Sequence, residues 1–189
     1  MALLSFARRL LPAAALAAWL CVCPADAGGE QRTATSEDDI KAAFLYNFTK
    51  FIVWPALPGT EPFRICSVAE PAFDTAVDRI IAGESIDGHP IVRHSPGGPE
   101  AARACQILFL GRLENDRAER WIAAVRGTAV LVVGESRGVW ERGAHINFVV
   151  DDNRVKFDVN TDATTESGLS VSSKLLRVAR ELFPRRAPL

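Results

Sequence analysis

Tyrosine occurs once, at Tyr46, and histidine three times in a chain of 189 residues with a formal net charge of −1. Nucleic-acid binders present basic stripes and interleaved aromatics. Here there is no basic stripe and a single tyrosine, so no nucleic-acid partner is expected. His89, His94 and His145 have no metal-ligand spacing and form no H-x-x-x-H pair, so neither a metal site nor a cofactor is expected. C-x-x-C is absent, which removes the usual redox motif. Gly97-Gly98 lacks the context of a phosphate-binding loop. Past the first residues, no apolar run is long enough for a membrane span.

What is present begins with a targeting segment. Arg8 and Arg9 precede an apolar run over residues 10–22, and Ala25-Asp26-Ala27 supplies a small-x-small site. This reads as a signal peptide over residues 1–27, cleaved after Ala27; the alternative is an uncleaved membrane anchor. Cleavage leaves 162 residues, enough for one domain with a proper core. It also removes Arg8, Arg9 and Asp26, leaving 20 basic and 22 acidic residues. The expected location is the periplasm.

Cys21 and Cys23 leave with the signal segment, and Cys66 and Cys105 remain, 39 positions apart. An even count in an exported chain reads as a disulfide, with two free buried thiols as the alternative.

Residues 28–35 read as a flexible terminus. Ser36 then caps a helix whose apolar residues Ile40, Ala43, Phe44, Phe48, Phe51 and Ile52 share one face, ended by Trp54-Pro55. Asn47-Phe48-Thr49 matches a glycosylation sequon but falls inside this helix. Residues 63–68, 90–93, 105–110 and 129–133 read as strands. They alternate with helices over residues 73–81 and 116–125, the latter capped by Asn115. Residues 146–160 form a β-hairpin turning at Asp151-Asp152-Asn153-Arg154, where the paired aspartates are turn chemistry rather than a metal pair. A last helix is expected from Thr165 or Ser170 to Leu182, stopped by Pro184. The fold class is α/β: one domain over residues 36–184, a central, mostly parallel sheet with a C-terminal antiparallel hairpin and helices on both faces. Residues 185–189 form a tail.

One motif suggests chemistry. Gly134-Glu135-Ser136-Arg137-Gly138 is G-x-S-x-G, the pattern of a hydrolase nucleophile elbow. A working elbow needs an acid and a histidine in reach. After Ser136 the only histidine is His145, and the only acid between them is Glu141. That spacing does not suit three side chains on separate loops, although His89 and His94 lie upstream. The expected reading is a strand ending in a glycine turn, with no catalytic residue.

The order of segments carries more information than any motif. IKAAFLYNFTKFIVWP at residues 40–55, FRICSV at 63–68, CQILFLG at 105–111, AVLVVGES at 129–136, GAHINFVVDDNRVKFDVN at 143–160 and GLSVSSKLLRVAREL at 168–182 together resemble the YfiR-like family of exported bacterial proteins. The resemblance implies a periplasmic regulator without catalysis that binds the periplasmic part of an inner-membrane diguanylate cyclase and holds it inactive. Cyclic di-GMP and biofilm formation would then be under its control. It also implies that an outer-membrane lipoprotein can sequester the regulator, and that the chain forms a homodimer. Cys66 and Cys105 match one family disulfide. A second, found in some members, would fall near Trp140 and Asn147, where this chain has no cysteine, so its hairpin must be held by packing. The residues matching the family's functional surface are Asp158, Asn160, Thr164, Ser170 and Ser172. The residues themselves allow a different function for Asn160, closing a strand-to-helix turn, and for Ser170 or Ser172, capping a helix. A second function class stays open beside the regulator: a periplasmic small-molecule sensor with a pocket at a switch point of the sheet.

Overall fold

Ser36 starts the first helix with a complete capping box: its hydroxyl accepts from the Asp39 N–H while the Asp39 carboxylate accepts from the Ser36 N–H. A computed structural model describes residues 36–183. The expected export segment with cleavage after Ala27, the expected flexible terminus over residues 28–35, Pro184 and the expected tail lie outside the described residues. Helix α1 (Glu37–Phe51) leads into the short strand β1 (Ile52–Val53). There follow β2 (Phe63–Val68), α2 (Pro71–Ile81), β3 (Ser85–Ile86), β4 (His89–His94), a 3-10 turn (Pro99–Ala104), β5 (Ile107–Leu110), α3 (Asn115–Val125) and β6 (Leu131–Gly134). The chain closes with β7 (Ile146–Asp151), β8 (Arg154–Asn160), α4 (Thr161–Glu166), β9 (Ser170–Val171), α5 (Ser173–Val178) and β10 (Glu181–Phe183).

Eight strands form one sheet in the order β10-β8-β7-β6-β5-β2-β4-β3. Pairing is parallel from β4 through β2, β5 and β6 to β7, and again between β8 and β10. It is antiparallel at the β7–β8 hairpin and at β3–β4. Asp152 and Asn153 both take positive φ, 49° and 55°, as a two-residue hairpin turn requires. After β2 the chain winds to one side through α2 and β4. It then crosses back to lay β5 on the other side of β2, so the winding direction reverses between β2 and β5.

Every residue of β5 and β6 is buried, as expected for strands covered on both faces. Ile107 and Phe109 join the core under α1 and α2 with Ile65, Phe48, Phe148 and Phe157. Leu108 and Leu110 face the other way, against Ala118, Trp121, Ile122 and Val125 of α3. Cys66 and Cys105 lie in this second core, joined by a disulfide with their Cα atoms 5.9 Å apart. The bridge ties β2 to the residues entering β5, the two neighbours on either side of the reversal.

Three local expectations are corrected. The first helix ends at Phe51, because Ile52 and Val53 pair with Val171 and Ser170 in a separate two-stranded sheet. Its buried face is Lys41, Ala42, Leu45, Phe48 and Thr49, rotated from the expected stripe so that a lysine points inward. Helix α3 starts at Asn115 after Glu114, without a side-chain cap. Finally, the expected long helix to Leu182 is two short helices and two strands. Gly168 takes φ +71°, the Ser172 N–H donates to the Phe51 carbonyl, and the Arg180 guanidinium grips both oxygens of Asp158. These tertiary bonds draw residues 181–183 out as a strand beside β8, and the apolar spacing alone does not reveal them.

Candidate functional site

The carboxyl ends of β2, β5 and β6 surround a cavity of about 570 Å³ at the reversal point. Open α/β sheets place their ligand crevices in this position. Lys41 projects into it from α1 with its side chain only 4% exposed. Its ammonium donates to Glu37, one helical turn back, and to Glu135, just beyond β6, so one buried cation joins α1 to the sheet end. Arg112, beyond β5, also reaches Glu37 at 3.3 Å. The Lys41 hydrogen bond is the main reason the Glu37 carboxyl titrates below its ordinary value. The sequence reading missed this cluster; the available signal was Lys41 within an apolar helical face and four residues after Glu37.

The G-x-S-x-G segment lies at the rim of the same end. A Cβ at Gly134 would come within 2.6 Å of Val139, so close packing requires that glycine. Gly138 takes φ +74°, the left-handed geometry of a turn. The Ser136 hydroxyl accepts from the Leu113 N–H at 3.1 Å and donates to the Leu113 carbonyl at 3.0 Å, clasping the loop after β5. His145 turns elsewhere. Its Nδ1 accepts from the Val132 N–H at 2.8 Å, which puts the proton on Nε2, and Nε2 donates to Ser167 Oγ at 2.7 Å. A ring held in this tautomer offers Ser167 no base.

Burial pushes the His145 pKa down to about 4. The unfolded chain therefore takes up a proton near pH 6.5 that the folded chain refuses. The stabilisation from keeping His145 neutral is complete above pH 6.5 and is lost as pH falls from there towards 4, amounting to about 3 kcal/mol. Urea titrations at a series of pH values should show this decline, and a His145→Asn variant should lose that part of the slope. Equal slopes in the two proteins would exclude His145 as its source.

The five residues matched to a functional surface divide into two places. Phe157 and Val159 face the core under α1, so Asp158 and Asn160 point to the opposite side of β8. Asp158 is buried and pairs with Arg180 at 2.6 and 2.8 Å. Asn160 caps α4, accepting from the Ala163 N–H at 3.0 Å. Thr164 is buried and donates to the Thr161 carbonyl. Ser170 is exposed in β9 opposite Val53, while Ser172 caps α5. Where the resemblance implies a second disulfide in some members, the Trp140 ring, in the turn before β7, stacks on Phe183 with centroids 4.4 Å apart, so aromatic packing ties that turn to β10. Among the described residues there is no cluster of three or more His, Cys, Asp or Glu able to hold a metal, and no helix long and apolar enough to cross a membrane.

A disulfide-stapled, doubly wound α/β domain, whose elbow-like serine and buried histidine both serve as structural ties, is the class these observations define. The chain belongs to the YfiR/HmsC-like family, which it matches over residues 38–180. Its fold is similar to the crystal structure of a conserved domain protein from Vibrio cholerae O1 biovar El Tor str. N16961. The TM-score is 0.54 at 14% identity, covering 78% of this chain and 60% of that one. This chain thus spans about three fifths of that protein's length. A weaker likeness, with a TM-score of 0.48 at 10% identity, is to the ABC domain in complex with L-Trp from Streptococcus pneumoniae, covering 64% of this chain and 55% of that one.

Proposed function

We propose that this chain is a periplasmic regulator that acts by binding. On this reading it is exported, cleaved after Ala27, and holds the periplasmic part of an inner-membrane diguanylate cyclase in its inactive conformation, restraining cyclic di-GMP synthesis and biofilm formation. An outer-membrane lipoprotein relieves the restraint by sequestering it, and the working form is a homodimer. The observation that carries the reading is the family match across nearly the whole described domain. The structural use of Ser136 and His145 adds to it, since the hydrolase alternative loses the histidine nearest its serine in sequence to a tie within the fold.

Control of this kind is a population shift. The regulator must bind the inactive cyclase more tightly than the active one, and a difference of about 3 kcal/mol changes their ratio more than a hundredfold. The surface proposed for contact is the end of the hairpin and the segment after it: Asp158, Asn160, Thr164, Ser170 and Ser172. Ser170 is the accessible member, beside Val53, which is 66% exposed. Deleting the gene should raise cyclic di-GMP and thicken biofilm, and Ser170→Arg should reproduce this without lowering the melting temperature. Unchanged cyclic di-GMP in the deletion strain, with the cyclase expressed, would refute the proposal.

A further inference from the structure

The cavity at the reversal point is lined by charges of both signs. Its acidic wall comes from the face of the sheet under α1 and α2: Asp38 in the first turn of α1 and Glu70 after β2. Its basic wall comes from the α3 side: Arg112 after β5 and Arg117 in the first turn of α3. Between them the lining is apolar, with Val68, Ala69, Phe73 and Leu113. Lys41 pairs with both Glu37 and Glu135, Arg112 offsets the second negative charge through Glu37, and the four brace the cavity. Among the described residues, Asp38, Glu70 and Arg117 have no ion-pair partner, and the Arg112 side chain is 77% exposed despite its contact with Glu37. A purely anionic ligand would meet Asp38 and Glu70, and a purely cationic one would meet the two arginines.

We propose that this cavity binds a small zwitterion whose two charges are held apart by a neutral stretch, such as a di- or tripeptide with free termini or an ω-amino acid. The carboxylate lies against Arg112 and Arg117, where a guanidinium can take both oxygens, and the ammonium lies against Asp38 and Glu70. A volume of about 570 Å³ is in the range of small-molecule sites, and the apolar floor matches a short aliphatic spacer. Arg117, unpaired in the first turn of α3 where a helix end disfavours a cation, is the charge a structural role leaves unexplained, and Asp38 and Glu70 supply the unpaired charges of opposite sign. The site is separate from the surface proposed for the cyclase, so it can fail while that reading stands.

The test uses the exported chain, trialanine and 6-aminohexanoate as probes, and isothermal titration calorimetry with melting curves alongside. Saturable binding of at least one probe is expected. For trialanine, acetylating the amine or amidating the carboxylate should each weaken binding about tenfold or more. Arg117→Gln and Asp38→Asn should do the same to whichever probe binds, with the Arg117→Gln melting temperature unchanged in the absence of probe. Binding of trialanine alone assigns peptides, and binding of 6-aminohexanoate assigns the simpler ω-amino acids. The proposal is overturned if neither probe binds at concentrations up to about 10 mM, if doubly blocked trialanine binds as well as the free peptide, or if both charge-removing variants bind unchanged.

Discussion

Replacing Cys66 and Cys105 together by alanine is expected to lower the unfolding free energy by about 4 kcal/mol. The bridge closes a loop of 39 residues, and the chain-entropy model assigns that figure to the freedom regained by the unfolded chain. Domains of this size are held by roughly 5–15 kcal/mol in total, so the loss is a large share. Both sulfurs are buried, Cys66 fully and Cys105 at 2% exposure, so the alanines also leave a small void in the core against α3. Urea unfolding of the oxidised protein, the reduced protein and the double variant provides the check. The last two should agree closely, and both should unfold well before the first. Coincident curves for all three would mean that the crosslink contributes nothing to stability.

Lys41→Met should cost about 3 kcal/mol through a different mechanism. The methionine fills the space of the aliphatic stem, but Glu135, with its side chain only 13% exposed, loses the cation that compensates its charge. Glu37, at 39%, can turn to solvent and suffers less. Adding Glu135→Leu should recover most of the loss, because removing both partners leaves no orphaned charge. Single and double variants with equal losses would show instead that packing of the lysine stem, not pairing, is what matters.

The central strands were legible because FRICSV, CQILFLG and AVLVV are short apolar runs between turn signals, and strands buried on both faces leave that pattern. The hairpin was legible from the alternation of Val155, Phe157 and Val159 with Lys156 and Asp158 around a turn rich in aspartate and asparagine. The end of the chain was not. Val171, Leu175, Val178 and Leu182 have helical spacing, yet Val178 and Leu182 are 67% and 38% exposed, and the segment is shaped by Phe51 and Asp158, far away in sequence. The charged cavity was hidden for a related reason. Asp38, Lys41, Glu70, Arg112 and Glu135 span almost a hundred positions and meet only because β2, β5 and β6 end together. Ser136 shows the converse: a local motif promised chemistry that its surroundings turn into a clasp on Leu113.

The staple also decides what a cut in the polypeptide can do. The exposed reverse turn at Asp87-Gly88, of the kind proteases nick, lies between the two bridged positions. A single nick there separates no fragment: the severed halves travel together as one particle in a non-reducing gel and part only when thiol is added. In surroundings rich in peptidases the protein would thus survive an early wound with its architecture in one piece.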